Sequence, residues 1–151
     1  IWGWASWRRA WILYDKEIKD WPMIKEKKLL NNLLRSQKEI DLFTNILEQC
    51  YQGKIDTWDY QWFLTRLLNS KAIIPNVNLI SNIGFGADAT HTADVNNPLA
   101  NLKLGSLSFP LEHPKYIVQD VKKDLLWSKH LTKNTKNMIR KVSLYIKRLL
   151  K

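Results

Sequence analysis

Apolar residues recur at three- and four-residue steps through much of the first half of the chain, which is the period of an α-helix. In WASWRRAWILYDKEI the rings Trp4, Trp7, Trp11 and Tyr14 fall on that step and predict a first helix. Pro22 interrupts it, because the residue before a proline is pushed out of the helical region. MIKEKKLLNNLLRS predicts a second, shorter helix. SQKEIDLFTNILEQCYQG predicts a third, with Ser36 as candidate N-cap, Glu39 three residues on and Gly53 as the C-terminal stop. IDTWDYQWFLTRLLNSK predicts a fourth, capped by Asp56 or Thr57, with Trp58, Trp62 and Leu68 marking its apolar side. AIIPNVNLISNI then carries two short β-rich pieces around Pro75, which suits an edge strand or a strand after a turn. From Gly84 to Pro114 turn formers dominate, and a segment this long without periodicity is more often a functional loop than a connector. NTKNMIRKVSLYIKRLLK closes the chain as a basic amphipathic helix. The pattern is that of a helix-rich α/β protein with few short strands.

The 151 residues suit one domain, or a large piece of a bigger one. The sequence opens directly on the core-like run IWGWASW without an initiator Met, so a piece of a longer protein is expected. The opening has neither the charged flank nor the cleavage site of a signal peptide, and no apolar run is long enough to span a bilayer. Cys50 is the single cysteine, which excludes an internal disulfide framework and a multi-cysteine zinc site; its helical spacing from Phe43, Ile46 and Leu47 marks it as a small core residue.

The formal charge of +10 is unevenly placed. Up to Asp124, 16 Lys and Arg oppose 14 acids; beyond it there are 8 Lys and Arg and no acid. The division expected is therefore 1–124 as the domain and 125–151 as a basic terminal helix. Residues 132–151 could lie on an anionic bilayer, dock on their own domain or lead to a further one. Few aromatics are interleaved with the basic residues of the tail, so nucleic acid is not an expected partner.

Taken one at a time, the candidate chemical residues have ordinary explanations. Asp59 in TWDYQW is the first-turn acid that a helix dipole favours. His91 in GFGADATHTAD is a polar-loop histidine, with Asp88 and Asp94 close by as oxygen ligands suited to Mn or Mg. Gly84, Gly86 and Ala89 have the spacing of a dinucleotide fingerprint, but turn formers follow where that motif needs a helix, so the motif is rejected. Trp2 and Trp4 could stack on a sugar ring, whereas Trp7 and Trp11 read as core. Arg8 and Arg9 are candidates for a diphosphate or an acceptor phosphate, or simply a solvated helix face.

Three blocks in order, WGWASWRRAW, IDTWDYQW and IPNVNLISNIGFGADATHT, resemble the C-terminal half of bacterial sugar-nucleotide transferase-like proteins, some labelled hemolytic or hemolysin-activation proteins. These are similar to family 2 glycosyltransferases of the GT-A fold. The resemblance implies an inverting transfer of sugar from a nucleotide-sugar to an acceptor hydroxyl, in building a surface polysaccharide or glycolipid. It implies Asp59 as catalytic base, taking the acceptor proton. The family pattern has Glu directly before that Asp and this chain has Trp58, so Asp56 stands as a second candidate base. It implies His91 as a ligand of a Mn or Mg ion that neutralises the departing diphosphate. Gly84 and Gly86 would let a lid close over the donor, with Arg8 on its phosphates, while Trp2, Trp4 and Trp58 would meet a glycan or lipid-linked acceptor. The nucleotide-binding strands and Asp-x-Asp of such enzymes are absent from this stretch, so the chain alone is expected to be inactive. A cytoplasmic location, peripheral on the inner face of the membrane, would follow. The alternative is a noncatalytic membrane-surface or protein-interaction module on a transferase-like scaffold.

Overall fold

The computed structural model describes residues 3–82, 85 and 102–132. These fall into two compact units, one formed by 1–8 with 72–117 and the other by 9–71 with 118–151. The chain is helix-rich. Its helices are α1 (Arg8–Trp11), α2 (Trp21–Glu26), α3 (Leu30–Leu33), α4 (Gln37–Tyr51) and α5 (Asp59–Asn69), and residues 121–132 are helical as well.

The unit of 9–71 and 118 onward is built on α4, against which α2, α3 and α5 pack. Its core joins Ile18, Trp21 and Ile24 to Leu30 and Leu34, then to Leu42, Phe43, Ile46 and Leu47 of α4 and Leu64 of α5. Phe43 and Phe63 stack with centroids 4.3 Å apart, which fastens α5 to α4. Cys50 packs on the edge of this core, as its spacing predicts, and burial pushes its thiol up to about 11 with the charge of Asp59 adding to the effect. Such a thiol stays protonated at neutral pH and is a poor nucleophile.

The termini of α4 form as the sequence predicts. Ser36 Oγ accepts the Glu39 N–H at 3.3 Å, and Glu39 Oε2 accepts the Arg35 N–H at 3.0 Å, a close relative of the capping box. At the other end Gly53 adopts φ 66°, its N–H reaching the Cys50 carbonyl at 3.0 Å. The 121–132 helix joins here too. The Ser36 and Ser128 hydroxyls share a hydrogen bond of 2.9 Å, Asp124 lies 3.8 Å from Arg35, and Leu131 packs on the core.

The first predicted helix is cut to the four residues of α1. The Asp15 carboxylate accepts the N–H groups of Glu17 and Lys19, at 3.0 and 2.7 Å, and Ile18 turns to φ 41°. A short acidic side chain has here outcompeted the helical ladder for backbone donors. Pro22 does not end a helix but starts one, lying in the first turn of α2 where a missing N–H costs nothing. The second predicted helix is split into α2 and α3 by Lys28 at φ 53°.

In the unit of 1–8 and 72–117, no strand is formed among the described residues, which corrects the two short strands expected around Pro75. Pro75 has no N–H to give, and the backbone bond made there is Gly105 N–H to the Asn78 carbonyl at 2.7 Å, with Asn78 Nδ2 adding a bond to the Lys103 carbonyl at 3.2 Å. One backbone bond does not make a ladder. Gly105 lets this contact close, since a Cβ there would come within 2.9 Å of Val77 Cβ.

Candidate functional site

Asp59 opens α5 and is exposed. Its carboxylate accepts the Tyr60 N–H at 3.0 Å and the hydroxyl of Thr57. The N-cap position belongs to Trp58, which offers no side-chain oxygen, so neither Asp56 nor Thr57 occupies it. Thr57 contributes from one residue earlier instead: its hydroxyl accepts the Asp59 N–H at 3.4 Å and its carbonyl accepts Gln61 Nε2 at 2.7 Å. Asp56 is exposed in the connection before α5.

Aromatic rings stand beside this turn. Tyr14 Oη donates to the Trp58 carbonyl at 3.3 Å. Its ring stacks on Trp11 at 4.8 Å and 10°, and Trp11 meets Trp62 at 4.8 Å and 52°. Burial raises the Tyr14 and Tyr60 phenols above their ordinary value, and the negative charge of Asp59 raises both further. The carboxylate is thus within electrostatic reach of two phenols and the Cys50 thiol.

The sequence anticipated a helix-borne carboxylate among aromatics, and that is what α5 presents. It misplaced the aromatics themselves. Trp58 is 51% exposed and Leu68 38%, while the inward positions of α5 are Gln61, Leu64 and Thr65. Trp7, expected in the core, is 59% exposed, and Trp11 is 41% exposed while held in the ring cluster. Trp4 is exposed, and it belongs with Arg8 to the unit of 1–8 and 72–117. Trp2, Gly84, Gly86 and His91 lie outside the described residues. Among the described residues no three His, Cys, Asp or Glu side chains gather to hold a metal ion. Among them, too, no helix is long and apolar enough to cross a membrane.

The sequence alone does not mark Tyr14 or Arg66 as neighbours of the α5 turn. Tyr14 could have been found as the end of the Trp4–Trp7–Trp11 series; Arg66 reads as a last-turn cation suited to the helix dipole. Next to the ring cluster the same side of α5 opens into a cavity of about 260 Å³, lined among others by Arg9, Leu13, Trp62, Thr65, Arg66 and Asn69. Comparison of the chain with protein-family models, with curated proteins and with solved structures returns no match.

Proposed function

We propose that this chain is the acceptor-side portion of a GT-A-type, family 2-like glycosyltransferase, whose complete form moves a sugar from a nucleotide-sugar to an acceptor hydroxyl. The observation that supports it is the state of Asp59: an exposed carboxylate in the first turn of α5, oriented by Thr57 and the Tyr60 N–H, with aromatic rings alongside. A base for acceptor activation must be reachable by a hydroxyl arriving from solvent and must keep its orientation before the hydroxyl arrives. The Tyr60 N–H and the Thr57 hydroxyl hold one carboxylate oxygen, Oδ1. The other is the atom proposed to take the proton, as the acceptor oxygen bonds to the anomeric carbon and the bond to the nucleoside diphosphate breaks. The exposed indole of Trp58 supplies a face of the kind that meets a pyranose. A divalent Mn or Mg ion, with His91 among its ligands, and a site on the inner face of the membrane belong to the same reading.

Asp59→Asn in the complete protein is expected to lower transfer by about 10² to 10⁴ fold, the usual contribution of a positioned general base. Asp56→Asn is expected to leave transfer near normal. Initial rates with a nucleotide-sugar donor decide: near-normal transfer by the Asp59 variant would sink the assignment, and loss with Asp56→Asn alone would move the base to that residue.

A further inference from the structure

The helix of residues 121–132 has two sides of different chemistry. Asp124, Ser128 and Leu131 fall on one row at four- and three-residue steps, and this row turns inward. Ser128 is buried against Ser36, Leu131 packs on the core, and Asp124 lies by Arg35 and accepts from Gln119 Nε2 at 2.7 Å. This row holds the helix on its unit.

Two further rows at the same steps, Lys122–Leu126–Lys129 and Lys123–Trp127–His130, lie on the other side, and all six residues are exposed. Neither row holds an acid. Asp120, just before the helix, meets Lys123 at 3.5 Å and Asp124 turns to Arg35, so the positive charge of Lys122 and Lys129 is left on the outside. The middle of each row is apolar: Leu126 is 66% exposed and Trp127 49%. A single such residue needs no explanation. Two side by side, each set between basic positions, make the arrangement of a helix lying in a bilayer interface, where apolar groups enter the acyl boundary and lysine stems carry their charge to the headgroups. An indole is favoured at that depth. The sequence after residue 132 keeps the same sign, with 7 Lys and Arg and no acid. Nucleic acid is a poorer match. A base stacks on an open ring, whereas Trp127 already stacks with His130 at 6.0 Å and 24°, and Leu126 gives a base or phosphate nothing to bind.

We propose that the outward side of the 121–132 helix lies on a bilayer rich in anionic phospholipid, with Leu126 and Trp127 entering the interface and Lys122 and Lys129 meeting the phosphates. The sequence alone assigns bilayer contact to residues 132–151; the structure puts a surface of the same character one segment earlier, on a helix whose other side is held by its own unit. The helix therefore reaches lipid without leaving the core. No transfer chemistry enters, so the proposal stands or falls apart from the role of Asp59.

Flotation of the full 151-residue chain with phosphatidylcholine vesicles, with and without phosphatidylserine, tests it. Binding is expected only where phosphatidylserine is present, and most of it is expected to be lost at about 1 M salt, where the screening length is about 3 Å. Lys122→Gln and Lys129→Gln should each weaken binding about fivefold, the worth of one lysine at an anionic surface. Leu126→Ser should weaken it about tenfold, and Lys122→Arg should retain it. These side chains are exposed, so the variants leave the inward row intact. Failure to bind the phosphatidylserine vesicles overturns the proposal. So does unchanged binding in all three weakening variants, which would leave the contact to the chain beyond residue 132. Binding to a single-stranded oligonucleotide that the lysine variants weaken and Leu126→Ser does not, with vesicles left unbound, would assign this side to nucleic acid instead.

Discussion

Glu48 is the residue where polar geometry and the core meet most directly. Its Oε2 accepts from Lys25 Nζ at 2.8 Å and from the indole Nε1 of Trp21 at 3.0 Å, and its Oε1 accepts from Gln52 at 2.5 Å. Trp21 is 1% exposed, so its indole N–H needs such an acceptor. These bonds, that of Lys25 foremost, hold the carboxyl down to about 2 from an ordinary 4.5. A folded-state value below the unfolded one gives stability that is fully present above about pH 4.5 and is lost as pH falls toward about 2. Thermal unfolding followed across that window should show a decline that Glu48→Gln flattens. An unchanged slope in the variant would mean that other carboxylates dominate the acid transition. At the alkaline side the direction reverses for Cys50, whose raised thiol contributes stability below its unfolded value of 9 and loses it toward about 11.

At the scale of elements, the helices divide by how local their instructions are. The cap, the acid three residues on and the glycine stop of α4 all lie within the helix or next to it, and all three are legible in the sequence. The start of the chain is not, because Asp15 can serve either as a surface acid on a helix or as an acceptor for the backbone that ends one. Period alone does not separate those outcomes. The same holds for α5: a helix with tryptophans at regular spacing invites an inward reading, yet Gln61 and Thr65 point inward and their side chains bond backbone carbonyls of the preceding turn. The α4 cap also carries a quantitative expectation. Ser36→Ala should cost about 1 kcal/mol for the lost cap and somewhat more for the Ser128 hydroxyl it leaves behind. The double variant with Ser128→Ala should cost no more than the single one, as urea unfolding of the three variants can establish. Strict additivity would show that the two hydroxyls do not depend on each other.

For the whole molecule, the part of the candidate site that could be read in advance is the part written on one helix. Asp59 at the start of α5, with Trp58 and Trp62 near it in sequence, follows from a few adjacent residues, whereas Tyr14 and Trp11 join that turn only on folding. The cavity does not, since Arg9 and Ala10 of α1 and Leu13 just after it share that lining with Trp62 and Arg66 of α5 only in the folded chain. The 121–132 helix is another nonlocal element: charge alone placed a boundary near 124, whereas packing joins this stretch to the core through Leu131 and Ser128. Deleting 121–151 should therefore lower stability by on the order of 2 kcal/mol, the worth of one large apolar side chain lifted from a core. The denaturant midpoint measures it, and an unshifted midpoint would show that the helix is not part of the cooperative unit.

That docked helix also sets an order of events during synthesis. The unit containing α2 to α5 is split along the chain, with residues 72–117 emerging from the ribosome before its last piece. Until residues 118–132 follow, the start of α4 has no hydroxyl from Ser128 and the core lacks Leu131. A nascent chain paused in the intervening stretch would hold its helices together with an unfinished flank. Such a chain exposes the surface that residues 118–132 later cover, and a chaperone bound there would have to leave before Leu131 and Ser128 dock.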